Sequence, residues 1–162
     1  MVNVRFTRVL SVPLLLLAGT PLRADSSFNC PVTKPLESAS PAPFSDSRGK
    51  WFGTEKLWTL IDERWGIRFH TDVGYEQRKI VWFSSDYDWK MKTMPLTITG
   101  RRLDGPSTPL IFDGASNAFI SDKGSFIVSA LTLPTLGCWE ITGHYKSQEL
   151  TQNLTFVVKI GP

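Results

Sequence analysis

From Trp51 onward, short runs of β-branched and aromatic residues alternate with turn residues. The runs are Lys56–Ile61, Gly66–Phe69, Lys79–Phe83, Leu96–Thr99, Phe126–Leu131, Cys138–Tyr145 and Leu154–Ile160. Between them lie Asp86-Tyr87-Asp88, Asp104-Gly105-Pro106, Asp113-Gly114, Asp122-Lys123-Gly124 and Pro134-Thr135-Leu136-Gly137, whose Asp, Gly and Pro residues favour reversals of the chain. About seven short strands at fairly even spacing predict an all-β antiparallel sandwich or barrel. No window of helical length keeps a 3.6-residue apolar period. The nearest, Trp58 to Trp65, is rich in β-formers and ends at Gly66, so at most a short helical turn is expected there.

The last two runs assign faces. Side chains alternate between the two sides of a strand, so Trp139, Ile141, Gly143 and Tyr145 share one face and Cys138, Glu140, Thr142 and His144 the other. The first set is the core set. By the same parity Leu154, Phe156, Val158 and Ile160 point inward, and Ser147-Gln148-Glu149 joins the two strands into an antiparallel hairpin.

The N-terminal third reads differently. Arg5 and Arg8 precede an apolar run from Val9 to Gly19, followed by Leu22-Arg23-Ala24. A basic start, an apolar middle of about 7–15 residues and a small residue at the cleavage point describe a secretory signal peptide over residues 1–24. The run is shorter than the roughly 20 residues that a spanning helix needs, and Pro13 interrupts it, so no stable membrane span is expected after processing. Residues 25–50 are rich in Ser and Pro and poor in large apolar side chains, which predicts an extended lead-in to a single folded domain over 51–162.

Export changes what charge and cysteine content mean. The leader carries Arg5, Arg8 and Arg23 and no carboxylate, so the 18 basic side chains fall to 15 against 15 acidic ones. A neutral body without a Lys/Arg cluster lacks the footprint of phosphate-backbone binding, and nucleic acid is not an expected partner. Cys30 and Cys138 are the only cysteines, and in an oxidising compartment a lone pair predicts one disulfide. Because Cys138 falls on the polar face and Cys30 in the lead-in, the bridge should pin the N-terminal segment to the rim of the sandwich.

Several stretches resemble a family of uncharacterised secreted bacterial proteins with an immunoglobulin-like sandwich. They are Cys30-Pro31-Val32-Thr33, Gly53 with Leu57-Trp58, Leu96 to Pro106, Leu133 to Gly143, and Leu154-Thr155-Phe156-Val157-Val158. The resemblance implies export and an immunoglobulin-like antiparallel β-sandwich, and brings no activity with it.

Catalytic and metal chemistry find little footing. No Gly-x-Ser-x-Gly elbow is present; Gly114-Ala115-Ser116-Asn117-Ala118 lacks the closing glycine and reads as a turn, and of the two histidines His144 is expected on a solvent face. A copper site from His70, His144, Met91 and Met94 would need residues that are not adjacent in sequence, and Asp86 with Asp88 lacks the ligand-rich loop of a calcium site. Asp62, Glu63, Glu76, Asp86 and Asp88 offer carboxylates for glycoside hydrolysis at separations the sequence does not fix. The compositional excess is aromatic: Trp51, Phe52, Trp58, Trp65, Trp82, Phe83, Trp89 and Trp139. A binding patch of Trp82, Tyr87 and Trp89 is therefore the candidate site, with no catalytic residues, no cofactor and no metal. The expected function is a non-enzymatic binding or structural module of the bacterial cell envelope, exported to the periplasm or beyond, whose partner is an envelope protein or polymer. The alternative is a periplasmic small-ligand or metal-binding protein using the histidines and methionines.

Overall fold

A computed structural model of the protein describes residues 28–36, 50–61, 70–71 and 74–161. The leader and the run 66–69 lie outside the described residues, as do Asp62, Glu63 and Trp65. The described chain contains ten strands and no helix: β1 (Lys50–Gly53), β2 (Leu57–Ile61), β3 (His70–Thr71), β4 (Gly74–Ser84), β5 (Leu96–Arg102), β6 (Leu110–Phe112), β7 (Ser116–Ile120), β8 (Gly124–Leu133), β9 (Gly137–Lys146) and β10 (Thr151–Ile160). All pairings are antiparallel. One sheet runs β1-β2-β4-β8-β7, with β3 appended to β4, and the other runs β10-β9-β5-β6.

The order β2-β4-β8-β7 facing β10-β9-β5 is the A-B-E-D and G-F-C arrangement of an immunoglobulin-like sandwich, with β1 and β6 added at opposite edges. The expected fold class is therefore the observed one. The expected number of strands, about seven, was too low. The four short or weakly patterned strands at the sheet margins, β1, β3, β6 and β7, were not expected, and the six expected runs that lie within the described residues are all strands. In particular Ser116–Ala118, read from sequence as part of a turn, opens β7.

The faces follow the period-2 rule. Trp139, Ile141 and Tyr145 of β9 and Leu154, Phe156, Val158 and Ile160 of β10 are all buried, and they meet Leu57, Ile80, Trp82, Ile127, Leu131 and Leu133 from the opposite sheet. Trp82 stands at the middle of this core. A Cβ built on Gly143 would lie 2.4 Å from its Cζ3, so the indole occupies the space that a β9 side chain would take. Antibody domains bridge their B and F strands with a disulfide; here Trp82 on β4 packs against Gly143 on β9. The indole nitrogen donates to Ser129 Oγ at 2.9 Å, which satisfies the one polar atom this ring buries. Phe156 stacks on Phe52 at 5.1 Å between centroids.

Phe83, next in sequence, points to the outer face of the same sheet. There it joins a second cluster with Trp51, Trp58, Leu60, Val81, Ala118, Phe126 and Val128, and its ring lies 5.7 Å from that of Trp58. The first sheet is thus apolar on both faces, and the core and this cluster between them take up most of the aromatic excess.

The disulfide joins Cys30 to Cys138 with Cα atoms 5.6 Å apart. Cys138 lies on the β9 face opposite Trp139 and Ile141, so the bridge sits outside the core. It holds the lead-in along β10, where Thr33 N donates to Val157 O at 2.9 Å and Val157 N donates back to Thr33 Oγ1 at 2.8 Å. Leu36 N then donates to Trp51 O at 2.8 Å. A segment of seven residues, 30–36, thereby bonds to the outer strand of each sheet on one side of the sandwich.

Candidate functional site

At one end of the sandwich the β4–β5 connection, residues 85–95, lies beside the β9–β10 turn, and its tip reaches across to β7. This is the end at which antibody variable domains present their binding loops. Two concavities result: an open polar cleft of about 960 Å³ between the connection and the turn, and a smaller one of about 380 Å³ walled by Trp89, Asn117, Ala118 and Phe119.

The polar cleft is built of turn-forming contacts. Ser147 Oγ donates to Asp86 Oδ2 and accepts the backbone N–H groups of Glu149 and Leu150 at 3.2 and 3.0 Å, which closes the hairpin turn. Asp86 N donates to Ser84 Oγ at 3.2 Å, and Asp88 Oδ1 accepts from Lys90 N at 2.9 Å. Asp88 thus shapes its own loop and Asp86 ties that loop to the β9–β10 turn, the ordinary work of Asp and Ser in turns. Beneath them Tyr145 is buried, and its hydroxyl makes no hydrogen bond of good geometry although the Ser84 and Ser147 hydroxyls lie beside it. Burial, more than the nearby Asp86 charge, pushes its phenol up to about 12, so it stays protonated at any ordinary pH.

The apolar concavity has a rigid frame. Tyr87 OH donates to Asn117 Oδ1, and Asn117 Nδ2 donates to Trp89 O at 3.3 Å, so one β7 amide clamps the connection at two points. Burial and the neighbouring Asp88 charge raise the Tyr87 phenol above its usual range, which keeps it a donor. Trp89 is 56% exposed and Phe119 68%. Lys90 Nζ sits 5.9 Å from the Trp89 ring centroid, at the outer limit of a cation–π contact.

Of the expected patch, Tyr87 and Trp89 are brought together and Trp82 is not. Trp82 has no exposed surface, because the parity that turns Phe83 outward turns Trp82 into the core. Asn117 and Phe119 take its place, and sequence reading missed both. The available signal was the uncharged run from Gly114 to Ser121, long enough for a strand; its Ser, Asn and Ala residues carry little β preference, and the flanking Asp-Gly drew the reading toward a turn.

His144 lies on the outer face of β9, as parity predicted. Its Nδ1 is 3.0 Å from Asn153 Oδ1 and its Nε2 2.9 Å from Thr99 Oγ1. With the amide oxygen accepting, the ring donates from Nδ1 and meets the Thr99 hydroxyl at Nε2. The relay has the form of a hydroxyl–imidazole–amide triad, yet it lies flat across three paired strands beside the Thr142–Thr155 hydroxyl pair, away from both concavities. It is a cross-strand ladder. Met94 packs against the core, on the other side of the second sheet from His144, and Met91 lines the polar cleft. Among the described residues no three His, Cys, Asp or Glu side chains are grouped to hold a metal ion, and no helix is long and apolar enough to cross a membrane.

The two longest stretches behind the family resemblance interlock. Arg102 Nε donates to Asp104 Oδ1 at 2.6 Å, and a Cβ on Gly137 would strike both partners, at 2.7 Å from Arg102 Nε and 2.6 Å from Asp104 Oδ1. Gly137 also has φ +139°, so glycine is required there twice over. Trp139 Nε1 donates to Thr135 O at 3.0 Å, and Leu103 N to Cys138 O at 2.7 Å. Burial works to raise the Asp104 carboxyl, but the bonds from Arg102 and from the Cys138 backbone and the Arg102 charge together hold it below the usual carboxylate range. These motifs fix the β5–β9 corner and stand apart from both concavities. The chain matches no known family model, no curated protein and no solved structure.

Proposed function

We propose that this chain is an exported, non-enzymatic binding module that engages a protein of the bacterial cell envelope through the β6–β7 edge and the β4–β5 connection. The observation that carries this reading is where apolar surface remains. Outside the lead-in, the large apolar side chains left exposed among the described residues are Trp89, Ile111, Phe119 and Ile120. All four lie on β6, β7 or the connection that Asn117 clamps to β7. Trp89 and Phe119 wall the same concavity, and an apolar site held by hydrogen bonds is the usual form of a protein contact site. Export is supported by the signal-like residues 1–24, by the disulfide and by the resemblance to secreted proteins.

Site-specific photo-crosslinking in the cells that produce the protein tests the reading. A photoreactive residue at position 119 or 89 should capture a discrete species, while one at the exposed Thr155, on the polar outer face of the other sheet, should not. Equal capture at all three positions, or capture at none, overturns the assignment of this edge.

A further inference from the structure

We infer that the species docking at this edge is a second copy of the chain, with β7 pairing antiparallel to β7 about a two-fold axis through Ala118. The inference rests on the proposed function, in that it names the occupant of the same surface.

Edge strands in monomeric proteins are kept apart by charged side chains, proline, bulges or a covering segment. β7 carries no charged residue and no proline between Gly114 and Ser121, and its register with β8 runs without a bulge from Ser116 to Ile120. It ends its sheet, and among the described residues its backbone bonds, apart from the Lys123–Ile120 turn, all go to β8. The opposite side of the sandwich is the one covered by the lead-in.

Pairing centred on Ala118 is complementary by symmetry. It sets Phe119 of each copy opposite Asn117 of the other, across a separation of about 4.5–5.5 Å between facing residues. Asn117 is the amide bonded to the Trp89 carbonyl, so each Phe119 enters the partner's 380 Å³ concavity beside Trp89. Ile120 falls opposite Ser116. The nearest charged positions, Asp122 and Asp113, lie four and five residues from the axis; Asp122 falls opposite Gly114 and Lys123 opposite Asp113, which sets one unlike pair at each end of the contact. The contact is isologous and closes at two copies, joining the two β4-β8-β7 halves into one continuous sheet.

Sedimentation of the purified protein over a concentration series should show a dimer. Phe119→Lys places a cation in each partner's apolar concavity and two lysines near the axis, and should weaken self-association by about 100-fold or more, while the melting temperature at a concentration where both proteins are monomeric stays unchanged. Engineered disulfides read the register. Ala118→Cys lies on the axis, within bridging distance of its own copy, and should close an intermolecular disulfide under mild oxidation. Ser116→Cys, roughly 13 Å from its counterpart at about 3.3 Å of rise per residue, should not. A protein that stays monomeric at every concentration, a dimer that survives Phe119→Lys, or Cys bridging at 116 as readily as at 118 overturns the inference. If position 119 instead captures a different protein in cells, the edge stands as the contact surface and the second copy falls. If it captures nothing, the proposed function falls as well.

Discussion

The two sides of this sandwich solve the same physical problem in opposite ways. Each ends in a strand of either sheet, β1 and β10 on one side and β6 and β7 on the other. On the first side the disulfide-held residues 30–36 bond to Val157 and Trp51 and cover the strands with the chain's own backbone. On the second, the described residues cover β7 only from one face, through the Tyr87–Asn117–Trp89 clamp, and leave Phe119 and Ile111 largely exposed. A fold that closes one edge with a covalent tether and presents aromatic and aliphatic side chains on the other would, under the proposed function, separate stability from recognition. The tethered side is covered by the chain itself, and the open side is where the proposed partner would add surface.

The largest test of that contrast removes the tether. Replacing Cys30 and Cys138 together by Ser releases a loop with a sequence separation of 108. In the chain-entropy treatment this costs about 4–5 kcal/mol, to be read as a lower denaturant midpoint, with a slope that rises because the uncrosslinked denatured chain exposes more surface. Freed from Cys138, the lead-in should also leave β10 accessible. In a Phe119→Lys background, where the open edge is blocked, self-association should then appear at the β10 edge. A double Cys→Ser variant of undiminished stability would show that the lead-in is passive.

A second substitution separates cohesion between the sheets from closure of the edge. Gly143→Ala forces a methyl group to within 2.4 Å of the Trp82 indole, deep in a core where neither strand gives way easily. Overpacking of this kind costs about 1–3 kcal/mol and should lower thermal stability without altering amide exchange at Val157. If Gly143→Ala is neutral, Trp82 is not the wedge that spaces the two sheets.

How much of this was legible in the chain depends on how many faces a segment buries. β9 and β10 bury one face each, so strict alternation identified Trp139, Ile141, Tyr145, Leu154, Phe156, Val158 and Ile160 as core and His144 as outward-facing, all as observed. β4 sits in the middle of a sheet that is apolar on both sides. There the adjacent Trp82 and Phe83 gave no parity signal, and Trp82 was assigned to a surface it does not reach. β7 failed for the opposite reason: Ser116, Asn117 and Ala118 show neither alternation nor β preference, and their pairing with β8 is imposed by the tertiary fold. The proposed contact edge lies where local pattern is weakest because an edge strand has least to bury. The motifs that looked most distinctive, around Arg102, Asp104, Gly137 and Trp139, specify a corner of the fold.

A smaller effect probes the covered edge at one bond. Thr33→Val keeps the shape of the side chain but removes the oxygen that accepts from Val157 N. Losing one partly buried hydrogen bond should cost about 1 kcal/mol. Hydrogen exchange at the Val157 amide should accelerate, while amides of β8 are unaffected. If Val157 exchanges at the wild-type rate, the Thr33 hydroxyl does not hold the lead-in to β10.

The smallest expected change in stability falls on the open edge, and its smallness is what matters. Trp89 and Phe119 are mostly in water, so their replacement by Ala in a double variant should move the folding free energy of the isolated chain by no more than about 0.5 kcal/mol. Asn117 still clamps the connection through the Trp89 carbonyl, which the substitution leaves in place. Side chains that support the fold and side chains that await a partner are told apart by this measurement, made at a concentration low enough to keep the protein monomeric. A loss of about 2 kcal/mol or more would mean that both rings pack within the chain, and the two sides of the sandwich would then differ in how they are closed rather than in whether they are.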